Sequence, residues 1–394
     1  MRAVTLVVAL SCLVAPADAN AQQGWPRGAP SDAGLDPAPL TELSAEVLAG
    51  DFGYIDRMLV VADGRLVFDE RFENDYAEIS RGRSGPIGCG VDACEAPGDV
   101  HDFNYLHPDR HPFYRGREVH TLQSVTKSVT STLIGIAIQR GLIAGVDVPV
   151  FDLLPSYDLS ALDPRVRDAT LEDLLTMRIG IEWHETDRPL DDTNTTLQLE
   201  KSDNWVRFTL SQPADSDPGA MWAYNSGASH LMSAIIGETT GLSTAEFAEA
   251  YLFGPLGIQD YHWKQDPQGL QDTEGGLYLA AEDLARIGWL YLQDGVWEGE
   301  RLLPEGWVTA ATARQVDDVA PLNPNWNWGY GYQWWRLDAS DLAVWAGLGF
   351  GGQNLLVIPE RGLVGVINSW NVFGPKPPLV IPFIDAMIAA SDGD

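Results

Sequence analysis

Strand-forming runs stand at both ends of this chain and helix-forming runs fill its middle, and that arrangement limits the folds it can take. Near the start, Met58 to Val61 and Leu66 to Phe72 flank Ala62-Asp63-Gly64-Arg65. An Asp-Gly between apolar runs is a strong hairpin signal, because both residues tolerate the left-handed backbone of a tight turn. Near the end, Gly331 to Leu337 and Leu342 to Trp345 flank a polar turn, and Asn354 to Ile358 and Leu363 to Asn368 flank Pro359-Glu-Arg-Gly362. Allowing runs to merge, this predicts about five strands of an antiparallel sheet. Leu379 to Ala390, apolar on one side, reads as a helix covering it. A sheet assembled from both ends makes the helical middle an insertion. The expectation is an α/β (α+β) chain with sheet layer from about 22–73 and 320–394, helical insertion at about 120–319, and a cleft between the two.

Within the insertion, the spacing of Val125, Val129, Leu133 and Ile136 predicts a helix from Ser124 to about Arg140, stopped at Gly141. Leu171 to Met177 reads as a short helix, His230 to Thr240 as one closed by Gly241, and Ala280 to Asp294 as one closed by Gly295. Residues 74–119 are rich in Gly, Pro, Asp, Arg and His and lack periodicity, so they read as a long surface loop, a candidate lid.

The first of these helices carries the strongest chemical signal. Ser124-Val-Thr-Lys127 places a hydroxyl and an amine three residues apart, on one helix face. A Ser-x-x-Lys arises by chance about once in a few hundred residues. Here lysine is scarce: of Lys127, Lys201, Lys264 and Lys376, only Lys127 has a serine three residues earlier. It also sits on an apolar helix, where a charge is seldom placed without a partner. An amine with its pKa lowered by a dry pocket can take the serine's proton. The free N–H groups at the helix start can then hold an oxyanion. Tyr224, in Pro218-Gly-Ala-Met-Trp-Ala-Tyr224-Asn225-Ser226-Gly227, is the candidate second proton carrier; two nearby cations would lower its pKa. Trp345-Ala346-Gly347-Leu348-Gly349, a strand entering a Gly-rich turn, offers backbone N–H groups that a ligand can approach closely.

Composition bounds the rest. With 394 residues, 45% hydrophobic and 21% charged, the chain is globular and long enough for a sizeable core. A net charge of −31 argues against nucleic-acid and anionic-membrane partners. Arg2, the apolar run Val4 to Val14 and Ala19-Asn20-Ala21 read as a secretory signal covering 1–21, with the mature chain starting near Gln22. That run is too short to span a bilayer, and no later stretch reaches spanning length. Cys12 would leave with the signal. Cys89 and Cys94 remain, for which a local disulfide is expected, two free thiols being the alternative.

Taken together, the three chemical segments resemble the serine β-lactamase-like hydrolases, a group of class C β-lactamases, D-Ala-D-Ala carboxypeptidases, carboxylesterases and 6-aminohexanoate-dimer hydrolases. Ser124-Val-Thr-Lys127 is similar to the family's S-x-x-K and Tyr224-Asn225-Ser226 to its Y-x-N/S. Trp345-Ala346-Gly347 stands where the family carries K-T-G, H-x-G or W-x-G. Gly135-Ile-Ala-Ile, Leu174-Leu-Thr-Met177 and Val357-Ile-Pro-Glu360 agree, so the resemblance spans roughly Met58 to Asn368. It implies a β-lactamase/transpeptidase-like fold over 22–394 and an acylated Ser124. Lys127 would share its proton, and Tyr224 would act as base and then acid. The N–H groups of Ser124 and Leu348 would form the oxyanion hole, with Trp345, Gly347, Asn225 and Ser226 near the substrate. No cofactor and no metal are implied.

Two departures steer the substrate expectation. The third motif has no lysine to hold a substrate carboxylate, and Ser226 replaces the usual Asn. Arg178-Ile179-Gly180 also replaces the family's Thr-Ser-Gly after Leu-Leu-Thr-Met. Small esters or linear amides are therefore expected. A β-lactam or D-Ala-D-Ala substrate is the alternative, and a peptide- or β-lactam-binding sensor or scaffold is the non-enzymatic one. No G-x-S-x-G supports an α/β-hydrolase elbow. His101, Asp102, His107, Asp109 and His111 lack the spacing of H-E-x-x-H. His120 and His230 read as packing or hydrogen-bonding residues. Trp183, Trp222, Trp326, Trp328, Trp334, Trp335 and Trp345 are candidates to line an aromatic cleft.

Overall fold

A computed structural model describes residues 24–83, 107–317, 319, 328–339 and 341–393. The expected signal segment, Cys89, Cys94, His101, Asp102 and Trp326 lie outside the described residues. In chain order the principal elements are α1 (Ala38–Ala49), β1 (Ile55–Ala62), β2 (Arg65–Arg71), β3 (His120–Thr121), α2 (Val125–Gln139) and α3 (Ser226–Thr240). There follow β4 (Tyr261–Trp263), β5 (Leu277–Leu279), α4 (Ala281–Leu292), β6 (Trp328–Tyr330), β7 (Trp335–Ala339), β8 (Leu342–Gly349), β9 (Gln353–Ile358), β10 (Leu363–Ser369) and α5 (Val380–Ser391).

Among the described residues, seven strands form one antiparallel sheet in the order β2-β1-β10-β9-β8-β7-β6. The N-terminal hairpin is thus stitched to C-terminal strands, with Ile55 opposite Ser369 and Ala62 opposite Leu363. A period of two sorts the central strands between two apolar layers. Leu59, Val61, Leu355, Val357, Val364 and Val366 face one core, shared with α2, α3 and α4. Met58, Val60, Leu356, Ile358, Leu363 and Ile367 face the other, shared with α1 and α5. Central strands covered on both faces read as unbroken apolar runs, which is why Met58 to Val61 and Leu355 to Ile358 show no polar alternation.

The fold has the expected layers and more strands than the sequence predicts. Gly331 to Trp334 is a turn rather than the start of a strand. Gly331 N–H donates to the Trp334 carbonyl at 2.8 Å, and Gln333 is left-handed at φ 60°. β6 lies before this turn and β7 after it. Helix α3 begins at Ser226, ahead of His230, because the Asn225 side chain caps it by accepting from Ala228 N–H at 2.8 Å. Helix α4 packs across β1, β9 and β10, so part of the chain's middle covers the sheet itself. A second small sheet, β3-β5-β4, pairs His120 with Leu279 just ahead of α2.

Leu355 is fully buried between β9 and α4, whereas Leu48 on α1 is 76% exposed. Leu355→Ala is expected to lower unfolding stability by about 2–5 kcal/mol. Leu48→Ala is expected to stay within about 0.5 kcal/mol, both read by denaturant titration.

Candidate active site

Ser124 stands at the N-cap of α2. A serine there usually caps the helix through its hydroxyl. This one makes no capping bond; its Oγ accepts instead from Lys127 Nζ at 3.0 Å. The residue before it, Gln123, is left-handed at φ 47°, a conformation costing of order 1 kcal/mol for a residue with a β-carbon. That turn delivers the chain sharply from β3 into the helix. Lys127 is 1% exposed. Its remaining hydrogens go to one residue: Nζ donates to the Glu274 carbonyl at 2.6 Å and to Glu274 Oε2 at 3.2 Å.

Tyr224 arrives from the loop ahead of α3. Met177 holds that loop, its carbonyl accepting from Ala223 N–H at 3.0 Å and its sulfur from Asn225 N–H at 3.3 Å. The phenol ring stacks on Trp335 at 5.7 Å between centroids and meets Tyr330 edge-on. Lys127 Nζ lies 5.1 Å from the ring centroid, and the Ser124 hydroxyl is among the groups that act on the phenol. The three residues singled out from separate parts of the sequence therefore meet.

Strand β8 runs directly against the start of α2. A β-carbon on Gly347 would stand 2.9 Å from Val125 Cγ1, and one on Gly349 would collide with the Leu122 carbonyl oxygen. The two glycines thus let the strand, with Leu348 between them, press onto residues 122–128. Trp345 is half-buried and packs against the core shared with α2 and α4, opposite Val357 in the sheet.

Neither Asn225 nor Ser226 hydrogen-bonds to Lys127. Asn225 caps α3, while Ser226 donates to Glu185 through both its backbone N–H, at 3.0 Å, and its hydroxyl, at 2.8 Å. Trp183 Nε1 adds a third bond to that carboxylate at 3.0 Å. Glu185, Glu200 and Glu274 line a cavity of about 110 Å³ that opens on Ser124, with Leu190, Leu197 and Phe350 as apolar wall. Sequence reasoning missed all three carboxylates. Glu274 lies in Asp272-Thr-Glu-Gly-Gly276, which reads as an ordinary turn, and Glu185 and Glu200 flank a polar loop with no motif. The aromatic residues divide: Trp222 and Trp335 box in Tyr224 and Tyr330, Trp328 packs on Trp335, Trp334 is buried against Tyr291, and Trp183 packs on Phe208.

The electrostatics correct two expectations. Burial pulls the Lys127 amine down, but Tyr224, Glu274 and Glu185 outweigh it and hold the amine above its ordinary value. Burial pushes the Tyr224 phenol up, and Glu185 and Glu274 add to that push against the pull of Lys127. Both groups thus lie above their ordinary values, because the cavity supplies carboxylates where a dry or cationic pocket was expected. Glu274 resists burial and stays below the ordinary carboxylate range through Lys127 and a hydrogen bond from Glu200. Burial and the Glu274 charge drive Glu200 well above that range.

The histidines have other duties. His120 Nε2 meets Asp56 at 3.1 Å, and His230 Nε2 meets Asp266 at 3.0 Å, both fully buried. His111 stacks on Trp370 and bonds the Tyr278 hydroxyl at 3.0 Å. Among the described residues no helix is long and apolar enough to cross a membrane.

A serine held by a buried lysine, beside a tyrosine, between an antiparallel sheet and a helical layer defines a class: the serine hydrolases of β-lactamase-like fold. The Beta-lactamase family model matches residues 57–380, and the chain belongs to that family. Over 267 residues it is 28% identical to the 6-aminohexanoate-dimer hydrolase of Paenarthrobacter ureafaciens, an alignment covering 64% of this chain and 66% of that one, just under two thirds of its length. A Bacillus anthracis protein provisionally assigned as a 6-aminohexanoate-dimer hydrolase superposes with a TM-score of 0.64 at 20% identity, over 88% of this chain and 81% of that chain. A D-stereospecific amidohydrolase from Streptomyces superposes with a TM-score of 0.57 at 17% identity, over 91% and 99%. At these identities the structural likeness speaks to the fold.

Because the Leu122 carbonyl leaves no room beside Gly349, Gly349→Ala is expected to displace β8 from Ser124. A loss of about 1–3 kcal/mol in stability should accompany a fall in turnover larger than the fall in folded fraction, checked by thermal melts and ester hydrolysis on one sample.

Proposed function

We propose that this protein is an exported serine hydrolase that cleaves small esters or linear amides through an acyl-Ser124 intermediate. The observation that carries the reading is the Ser124 Oγ to Lys127 Nζ bond of 3.0 Å at the mouth of a cavity, with Tyr224 alongside. The substrate class is supported by the absence of a lysine from Val344-Trp345-Ala346-Gly347, which leaves no cation there for a substrate carboxylate. It is also supported by similarity to a protein named for hydrolysis of a linear amide dimer. Export rests on Arg2, the run Val4 to Val14 and Ala19-Asn20-Ala21.

In this reading the minor phenolate form of Tyr224 takes the Ser124 hydroxyl proton while Lys127, as ammonium, donates to Oγ. A bond forms from Oγ to the acyl carbon, and the carbonyl π pair moves onto oxygen, held by the Ser124 and Leu348 N–H groups. The bond to the leaving oxygen or nitrogen then breaks as Tyr224 returns its proton to that atom. Water then gives a proton to Tyr224 and attacks the acyl carbon, and the bond from that carbon to Ser124 Oγ breaks as Tyr224 returns the proton to Oγ.

Intact mass after treatment with a fluorophosphonate should show one adduct on the wild type and none on Ser124→Ala. An unlabelled, folded wild type would overturn the reading. Lys127→Ala and Tyr224→Phe are each expected to cut turnover by about 10²–10⁴ while leaving the fold intact. Since the Tyr224 phenol lies above its ordinary value, kcat/KM for a nitrophenyl ester should climb about tenfold per pH unit from pH 6 to 9. A plateau beginning below pH 7 would contradict the phenolate role.

A further inference from the structure

Lys127 is held by more than the serine. A primary ammonium has three N–H bonds, and here one reaches Ser124 Oγ while the other two end on Glu274, at its carbonyl oxygen and at Oε2. The side chain is 1% exposed, so no water shell competes for those hydrogens. An uncharged amine could keep these contacts only by giving both its hydrogens to Glu274 and accepting from the Ser124 hydroxyl. A carboxylate oxygen 3.2 Å from so enclosed an amine favours the charged form.

We propose that Glu274 is a positioning residue: its carboxylate and its own carbonyl anchor two Lys127 N–H bonds, aim the third at Ser124 Oγ, and keep the lysine an ammonium during acylation. The inference rests on the reading of Ser124 as nucleophile. It assigns the proton duties, with Lys127 donating a hydrogen bond throughout and Tyr224 alone moving the proton. The breaking of the Ser124 O–H bond then matches the making of the Tyr224 O–H bond, and no proton leaves Lys127.

The groups facing this ammonium come from several elements. Ser124 lies on its own helix, Tyr224 ahead of α3, Glu185 on the loop before the 195–201 helix, and Glu274 ahead of β5. Behind Glu274 stand Glu200, from the 195–201 helix, and then Asp272 and Lys264. Two carboxyls as close as Glu200 and Glu274 cannot both ionise in a buried setting. Burial and the neighbouring charge push Glu200 up while Lys127 holds Glu274 down, so Glu200 is the member of the pair that favours its proton. The chain runs Glu200 carboxylic acid, Glu274 carboxylate, Lys127 ammonium, Ser124 hydroxyl.

The test is a pH profile of kcat/KM for a nitrophenyl ester on wild type, Glu274→Gln and Glu274→Asp. Glutamine keeps the backbone bond and the side-chain volume but removes the charge. The wild type should rise monotonically to pH 10. Glu274→Gln should give a bell, because Tyr224 loses a negative neighbour and its limb moves to lower pH, while Lys127 loses its counter-ion and a falling limb enters below pH 10. Its maximum should lie about ten- to a hundredfold below wild type in kcat, with KM changed little, and Glu274→Asp should recover much of it. Leu48→Ala, on the exposed face of α1, should keep the wild-type profile. A Glu274→Gln profile superimposable on wild type, or one that gains rate with no falling limb, would overturn the proposal.

A second measurement needs no variant at Glu274. The chain has four lysines, so ¹³Cε-lysine spectra are sparse, and the Lys127 signal is identified by its loss in Lys127→Ala. A wild-type Lys127 signal that titrates below pH 9 would overturn the proposal, and one that stays charged to pH 10 supports it. Fluorophosphonate labelling separates the two levels. An unlabelled wild type brings down the Ser124 reading, whereas a labelled wild type with an unmoved Glu274→Gln brings down only the role of Glu274.

Discussion

The site depends on one buried charge. Moving a lone ammonium from water into a protein interior costs several kcal/mol even after relaxation, and Lys127 is almost wholly enclosed. The fold accommodates it by bringing Glu274 across from the loop before β5, Glu185 from the loop following Trp183, and Tyr224 from the turn before α3. Each lies far from Lys127 in the chain. The lysine is therefore the point around which the helical layer must close, and its partners are fixed by its need for compensation as much as by chemistry.

A second set of bonds holds that closure in register. The buried Gln333 side chain accepts from Ser229 Oγ on α3 at 2.7 Å and donates to the Leu175 carbonyl at 2.9 Å, while its own carbonyl accepts from Ser128 Oγ on α2 at 2.7 Å. One residue thus joins the helix of Ser124, the helix after Tyr224 and the segment that carries Met177. The left-handed backbone of Gln333, like that of Gln123, is strain kept by surroundings that over-determine it.

Local regularities carried the legible part of the molecule. The Asp63-Gly64 hairpin, the apolar strands at both ends, the glycine stops at Gly141 and Gly241 and the Ser124 to Lys127 spacing depend on neighbours in sequence, and all could be read there. The rest needed distant partners. Glu274 is an unremarkable turn residue until β5 lays it over Lys127, and Gln333 sits inside what looks like a strand. The charge states were misjudged for the same reason: an amine's burial can be guessed from an apolar helix, but the carboxylates that outweigh burial come from loops without pattern. Ser226, legible only as part of its motif, engages Glu185, a partner no spacing rule connects to it.

The pairing of β1 with β10 has a consequence for how the molecule comes into being. Ile55 leaves the ribosome early and must wait for Ser369 before it has its neighbour in the sheet. Likewise Ser124 is synthesised well before Gly347 and Gly349, which press β8 against its helix. During that interval the nascent chain carries a hairpin with one bare edge, open to wrong partners and to holding chaperones. The same delay acts as a safeguard. No partly made chain has an assembled reaction centre, so hydrolytic power arrives together with the last strand rather than ahead of it.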